Sequence, residues 1–106
     1  TYGSSLVNGD AKTKNVYTMG SGDTRQANYN ANASKYGDAV YETSSEYEMS
    51  SGSWYADCSY FSYSNFPFFI RGGLYSNTTY AGVFYFLDNS GSDNIYGSFR
   101  PVLALL

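Results

Sequence analysis

The residue types that most often carry out covalent chemistry are scarce in this sequence. It contains no histidine and a single cysteine, Cys58. Without a histidine, the chain cannot form a Ser-His-Asp or Cys-His arrangement from its own residues, and one thiol cannot form an internal disulfide or a zinc site. Because no cationic residue adjoins Cys58 to lower its pKa, we expect an unreactive cysteine, at the surface or half-buried.

Carboxylates are the remaining candidates for catalysis or metal binding. Glu42, Glu46 and Glu48 could supply a pair for glycoside hydrolysis, but they lie in a serine-rich stretch and are expected to be solvated loop side chains. The segment 88–94 offers several oxygen atoms near one another, as calcium loops do. It lacks the regular acidic spacing and the distal glutamate, so a turn is the preferred interpretation, with calcium left open. We predict no cofactor and no resident metal.

Tyrosine is the most distinctive feature of the composition. Of the 106 residues 20% are aromatic, and they comprise 13 Tyr, 7 Phe and 1 Trp. In the second half, Tyr alternates with Ser, Asn, Asp and Gly, a mixture typical of binding loops because it combines amphipathic contact area with adaptable hydrogen bonds. The predicted ligand contacts are Trp54, Tyr55, Tyr60, Tyr63, Tyr75, Asn77, Tyr80, Tyr85, Asn89, Asp93 and Tyr96. The alternative is that these tyrosines merely cover a sheet or a subunit contact.

Charge is distributed unevenly along the chain. Residues 1–35 carry four basic and two acidic side chains, whereas residues 36–106 carry two basic and seven acidic ones. Duplex binding needs several Lys or Arg to displace phosphate counterions, so the aromatic half is unsuited to nucleic acid. No apolar run reaches the ~18 residues of a membrane span. Since the chain opens at Thr1 without a methionine, we expect a processed C-terminal piece of a longer protein.

Glycines and apolar runs predict helix in the first half and strands in the second. Asp23 followed by Gln26 fits a capping box, which predicts one short helix over 24–36 that stops at Gly37. Apolar runs bounded by turn residues predict the strands, and Gly82 inside one of them indicates close backbone approach or a bulge. Strands are predicted at 67–71, 80–87 and 98–105, extended pieces at 15–19 and 39–41, and loops at 42–53 and 88–97.

Three C-terminal segments resemble a known pattern. They are Phe69-Ile70-Arg71-Gly72-Gly73, then Ala81-Gly82-Val83-Phe84-Tyr85-Phe86, then Ser98-Phe99-Arg100-Pro101-Val102-Leu103. In this order they are similar to the C-type lectin-like fold in its formylglycine-generating-enzyme branch. They are more similar still to the binding domains of phage tail proteins and bacterial surface proteins that retroelements diversify. The resemblance covers residues 54–106 well and the first half loosely.

The resemblance implies an α+β domain over residues 1–106 with a C-type lectin-like fold, a small antiparallel sheet, long surface loops and one short helix. It does not carry over the oxidase activity of the enzyme branch, because a lone Cys58 cannot supply a cysteine pair. Ser98 also stands where the family usually has glycine before Phe-Arg. The residues predicted to be structural are Arg71, Gly72, Gly73, Phe99 and Arg100. The two arginines are expected to be buried and to have carboxylate or carbonyl partners.

Taken together, the sequence predicts a non-enzymatic domain that binds a protein or glycan on a cell surface. The contact face is expected at loops 54–65, 74–80 and 88–96, in a protein that is extracellular or displayed on a cell or virion. The alternative is a structural protein whose aromatic surface drives self-assembly into an oligomer, fibre or virion decoration. An enzyme of the formylglycine-generating type ranks third.

Overall fold

Short helices and short antiparallel strands form a small α+β fold in the computed structural model, which describes residues 8–13 and 15–93. The helices are α1 (Arg25–Ala31) and α2 (Val40–Thr43), with short helical turns at Ala11–Thr13 and Trp54–Ala56. The strands are β1 (Glu48–Met49), β2 (Ser59–Tyr60), β3 (Phe68–Ile70) and β4 (Leu87–Asn89). The α+β class predicted from the sequence is therefore correct, and the described residues contain two α-helices where one was expected.

Helix α1 is shorter than its sequence pattern predicts and starts one residue later. Thr24, in an extended conformation, is the N-cap, and its hydroxyl accepts a hydrogen bond from the Ala27 amide at 3.1 Å. The predicted cap, Asp23, has φ 46° and lies outside the helix. Asn32 is the C-cap, with a non-helical backbone (φ −114°, ψ 15°). Its side chain accepts from the Thr18 amide at 2.8 Å and donates to the Thr18 carbonyl at 2.7 Å. This pairing fixes the segment 15–20 against α1.

The prediction of extended structure at 39–41 is wrong, since Val40 begins helix α2. Ala39 has φ 67° and turns the chain into the helix, and the amide of Ser44 donates to the Val40 carbonyl at 3.0 Å. Val40 and Thr43, both β-branched, are buried there. Burial in the core outweighs the extended preference of these residues, because a fully buried valine side chain contributes about 1.5–3 kcal/mol.

In the described part of the chain, the strands form two antiparallel pairs, and a bridge joins one pair to the other. β1 pairs with β2, and β3 pairs with β4 in the register Phe68–Asn89, Phe69–Asp88 and Ile70–Leu87. A parallel bridge connects Ser59 to Phe86: the Tyr60 amide donates to the Phe86 carbonyl at 3.1 Å, and the Phe86 amide donates to the Cys58 carbonyl at 3.2 Å. The spatial order is therefore β1–β2–β4–β3.

The strand predictions from the sequence are only partly correct. The run 67–71 is confirmed as β3, although its residues are half-buried rather than fully buried. The prediction of a strand at 80–87 is wrong: residues 80–84 form turns and bends, and of the predicted residues only Leu87 belongs to a strand. The segment 15–19 forms no strand, and the predicted loops 42–53 and 88–97 contain β1 and part of β4. The predicted strand 98–105 lies outside the described residues.

Tyrosines pack against the core as well as lying on the surface. The buried cluster consists of Val40, Phe61 and Phe86, and the half-buried rings around it are Tyr17, Tyr29, Tyr41, Tyr47 and Phe69. Phe61 contacts several of these edge-to-face, for example Tyr17 at 5.2 Å and Tyr29 at 5.5 Å between ring centroids. Four tyrosines that precede residue 54 therefore belong to the packing around the core.

Candidate binding surface

Three contacting rings, Trp54, Tyr55 and Phe84, and the exposed Val83 that precedes Phe84 in the chain make up what we name the aromatic platform. Tyr55 and Val83 are 89% and 86% exposed, and Trp54 is 56% exposed. Phe84 is half-buried, and its ring contacts both of the other rings. The Tyr55 ring stacks on it with 5.8 Å between ring centroids and an interplanar angle of 7°. The Trp54 ring packs edge-on against it, with 5.3 Å between ring centroids. Two loops distant in sequence thus supply one continuous set of rings.

The backbone of Phe84 is held by the two residues that flank the Trp54–Ala56 turn. Ser53 donates its hydroxyl to the Phe84 carbonyl at 3.0 Å, and the Phe84 amide donates to the Asp57 carboxylate at 2.9 Å. Both flanking residues are buried. Buried polar groups of this kind are stable only when they are hydrogen-bonded, so the pairing fixes the two loops relative to each other.

Gly82 permits this arrangement. A Cβ atom at this position would collide with the Asp57 carboxylate, because the glycine backbone passes directly against it. The sequence prediction of close backbone approach at Gly82 is therefore confirmed, although the approaching group is a side chain.

The turn that presents the platform has an unusual backbone. Tyr55 (φ 60°) and Ala56 (φ 62°) are consecutive residues in the left-handed region, which side-chain-bearing residues seldom occupy. Strained positions of this kind occur most often at functional sites, where the surrounding structure maintains them. In this case the surrounding structure is the pairing of Ser53 and Asp57 with Phe84.

The predicted contacts in loop 74–80 lie beside the platform loops. Tyr75 is 95% exposed, whereas Asn77 and Tyr80 are half-buried. The Cys58 amide donates to the Thr79 carbonyl at 2.7 Å, which joins this loop to the segment that follows the platform turn. Two of the three predicted contact loops, 54–65 and 74–80, are therefore joined by a direct backbone hydrogen bond.

Other predicted contacts do not reach the surface. Tyr85 and Asn89 are buried, with 0% and 6% exposure, so the prediction that they contact a ligand is wrong. Asn89 instead accepts from the Gly91 amide at 2.7 Å and forms a turn. Asp93 is exposed, and Tyr96 lies outside the described residues. The sequence pattern could not separate Tyr85 from exposed tyrosines such as Tyr75, because the burial of Tyr85 depends on how the fold packs after the turns at 80–84.

Tyr60 and Tyr63 flank an arginine rather than forming an open face. The Arg25 guanidinium lies 5.0 Å from the centre of each ring. It also donates from Nε to the buried Asp88 and from Nη1 to Glu48, both at 2.7 Å. These five residues are named the Arg25 cluster. It joins α1 to β1, β2 and β4, and sequence analysis did not single out Arg25, whose partners are 23 and 63 residues away.

The Arg25 cluster changes the titration of its members. Burial raises the pKa of Asp88, and the hydrogen bond and charge of Arg25 oppose the rise only in part. For Arg25, burial acts to lower the pKa, but the bond to Asp88 and the charges of Asp88 and Glu48 raise it overall. Asp88 was the first residue of the candidate calcium loop, and its carboxylate is already bound to Arg25.

An open cleft of about 360 Å³ adjoins the Arg25 cluster. Its lining consists of Asp23, Thr24, Arg25, Gln26, Tyr47, Glu48 and Tyr63. Asp23 is held by hydrogen bonds from the Asn28 side-chain amide at 3.0 Å and from the Ser64 backbone amide, and these bonds lower its pKa. We name this feature the acidic cleft.

Cys58 is fully buried, so the expectation of a surface or half-buried thiol is wrong. Burial raises the pKa of the thiol, which disfavours the thiolate form that acts as a nucleophile. Among residues 8–13 and 15–93, no three Cys, His, Asp or Glu side chains come together in a way that could hold a metal ion.

The residues predicted to be structural are only partly described. Arg71 donates to the Asp38 carbonyl at 2.7 Å and lies 5.6 Å from the centre of the Phe86 ring, but it is exposed rather than buried. Gly72 and Gly73 have φ of 122° and 109°, which few other residues adopt. Gly73 also packs against the Tyr80 carbonyl. Phe99 and Arg100 lie outside the described residues.

Comparison with protein-family models, with curated proteins and with solved structures finds no match to this chain. Within the described part of the chain, the longest helix has seven residues, and none could cross a membrane.

Proposed function

We propose that this chain is a non-enzymatic binding domain of the C-type lectin-like class, whose contact surface is the aromatic platform. The observation that supports this most directly is that Trp54, Tyr55 and Val83 are exposed while Ser53 and Asp57 fix the backbone of the Phe84 beneath them. Rings held in place before binding lose little conformational freedom when a ligand arrives, which favours affinity.

The platform is suited to an uncharged ligand surface. No charged residue occurs in segments 49–56 and 72–87, and the adjoining Asp57 is buried. A ligand would therefore meet aromatic rings together with neutral hydroxyl and amide groups. This chemistry fits an uncharged protein surface or a neutral sugar, and we propose a partner of one of these kinds on a cell surface. The domain itself would be displayed outside the cell or on a virion.

A binding screen with paired variants tests the proposal. The chain is screened against cell-surface proteins and against neutral and charged glycans, alongside a double variant, Trp54→Ala with Tyr55→Ala. Tyr36→Ala is the matched control, because Tyr36 is also an exposed tyrosine but lies outside the predicted contact loops. We expect the double variant to lose at least ~10-fold in affinity, as hot-spot aromatic residues do, and the control to bind as the parent does. Equal binding by all three chains would refute the platform as the contact surface.

Self-assembly is the second candidate, and the same exposed rings favour it. Large exposed apolar patches often mark interaction surfaces, and the partner could be another copy of the chain. Sedimentation velocity over a range of concentrations separates the two functions. Concentration-dependent association that Trp54→Ala with Tyr55→Ala abolishes would support assembly, whereas a monomer at all concentrations would leave ligand binding as the function.

A further inference from the structure

We propose that the aromatic platform receives a proline-containing, uncharged segment of a partner polypeptide in the extended polyproline II conformation. This inference rests on the proposed function, since it names the chemistry of the ligand that the same rings would bind. Three properties of the platform favour such a ligand: the inclination of its rings, its hydrogen-bond donors and its small area.

The two exposed rings of the platform have different orientations. The Trp54 ring is inclined by 68° to the ring of Phe84, whereas the Tyr55 ring lies within 7° of parallel to it. The rings of Trp54 and Tyr55 are therefore steeply inclined to each other, although the two residues are neighbours in the chain. Successive prolyl rings of a polyproline II segment point in different directions, because this helix has three residues per turn. Such a segment can pack against both rings, as proline-rich ligands do in aromatic-lined grooves.

The platform also offers two hydrogen-bond donors, the indole N–H of Trp54 and the hydroxyl of Tyr55. In the part of the chain that the structure describes, neither group engages a hydrogen bond. The carboxylate that adjoins the turn, Asp57, is buried and accepts from the Phe84 amide. A proline-rich segment matches this set, because its carbonyl groups are unpaired and proline has no N–H to satisfy. A sugar would instead require acceptors for its several hydroxyls.

The platform is small for an interface between two folded proteins. Covering the rings of Trp54 and Tyr55 would bury roughly 300–500 Å² of this chain, whereas a stable interface buries about 800 Å² on each partner. Segments 49–56 and 72–87 contain no charged residue that could add ion pairs. A short segment suits this area, since polyproline II structure is formed before binding and loses little conformational freedom.

Fluorescence of Trp54, the only tryptophan, and NMR of its indole N–H test the proposal on the whole chain. The probes are two capped peptides, pentaproline and pentaalanine, and methyl β-D-glucoside as a neutral sugar. Pentaproline should give saturable changes that persist when salt is raised. Pentaalanine should bind at least ~5-fold more weakly, because it loses more conformational freedom. Equal binding of the two peptides, saturable binding of the glucoside alone, or no saturable change with pentaproline overturns the proposal.

Single substitutions locate the contact. Tyr55→Ala removes one ring and should weaken pentaproline binding at least ~10-fold, as at other aromatic hot spots. Tyr55→Phe keeps the ring and loses the hydroxyl, so it should weaken binding by about two- to tenfold, the contribution of one hydrogen bond. Tyr36→Ala changes an exposed tyrosine outside the platform and should leave binding unchanged. If Tyr36→Ala weakens binding as much as Tyr55→Ala, the platform is not the site.

Failure of this inference and failure of the proposed function give different results. The first is shown by a cell-surface partner that the double variant Trp54→Ala with Tyr55→Ala no longer binds, together with no response to pentaproline. The platform would then remain the contact surface for a ligand of another kind. The second is shown by a partner that the double variant binds as the parent does, and it would refute both.

Discussion

The aromatic platform and the Arg25 cluster both contain tyrosine rings, but different interactions hold those rings in place. At the platform, neutral rings lie on a backbone that two buried side chains, Ser53 and Asp57, fix by hydrogen bonds. In the Arg25 cluster, a charged guanidinium contacts the rings of Tyr60 and Tyr63 and is fixed by carboxylates. Binding at the platform should therefore depend on steric fit and be insensitive to salt, whereas the stability of the Arg25 cluster should depend on charge.

Tyrosines in similar sequence contexts therefore have different roles in the fold. Tyr55 and Tyr60 both lie in a serine-containing segment, yet Tyr55 is 89% exposed and Tyr60 packs against Arg25. Tyr85 is completely buried. A tyrosine-rich composition is thus compatible with a binding surface, an electrostatic cluster and a core within one small domain. The following substitutions test whether the two regions are as independent as their construction indicates.

Of the substitutions considered, replacing Arg25 should lower the free energy of unfolding the most. Asp88 is buried with a side-chain exposure of 4%, so Arg25→Met leaves its carboxylate without its closest cation. We expect a loss of about 3 kcal/mol, the lower end for a broken buried pair because Arg25 is itself 22% exposed. Urea unfolding followed by circular dichroism measures it. The double variant Arg25→Met with Asp88→Asn should recover most of the loss, and a double variant as unstable as Arg25→Met alone would contradict this account.

The pH dependence of stability provides a further test of the cluster. Because burial raises the pKa of Asp88 in the folded chain, the folded state binds this proton more tightly than the unfolded state. The associated stabilisation is present at acidic pH and is lost as the pH rises through the raised pKa. The stability of the parent relative to Asp88→Asn should therefore fall over the interval that runs from the ordinary aspartate pKa of about 3.9 up to the raised pKa of Asp88. A rise over this interval would show that the Arg25 charge outweighs the burial.

Filling the space at Gly82 should disturb the platform and leave the Arg25 cluster intact. The added methyl group of Gly82→Ala meets the Asp57 carboxylate, so we expect a loss of about 1–3 kcal/mol from overpacking. Trp54 is the only tryptophan, and its fluorescence reports directly on the platform. Combining Gly82→Ala with Asp57→Ala should destabilise the chain by less than the sum of the single changes, because the clash is removed. Strict additivity would show that the two residues do not interact.

The sequence predicts local features of this fold better than contacts between distant segments. The α+β class, strand β3 and the close approach at Gly82 follow from apolar runs and from glycine, which act over a few residues. The platform could be predicted only in part: Trp54 and Tyr55 were identified, but Val83 and Phe84 were assigned to a strand interior. Their exposure depends on the bonds from Ser53 and Asp57 to Phe84, which span 27 to 31 residues.

The Arg25 cluster could not be predicted for the same physical reason. Arg25 was counted only as one of four basic residues in an N-terminal segment with a surplus of positive charge. Its pairing with Asp88 spans 63 residues and depends on where α1 packs against the sheet. The uneven charge distribution along the sequence was nevertheless informative, since a cation from residues 1–35 and two carboxylates from residues 36–106 come together in the fold.

The smallest expected effect concerns the strained turn that presents the platform. Ala56→Gly places a residue without a Cβ at φ 62°, which relieves a left-handed conformation that is unfavourable for alanine. The greater freedom of glycine in the unfolded chain offsets part of the gain, so we expect a net stabilisation of about 0.5–1 kcal/mol. The same substitution within α1, Ala27→Gly, should instead destabilise the chain by about 0.5–1 kcal/mol. Thermal unfolding of the two variants compares them directly. If both changes destabilise the chain equally, the turn at Tyr55 and Ala56 stores no strain, and the platform is held only by the hydrogen bonds to Phe84.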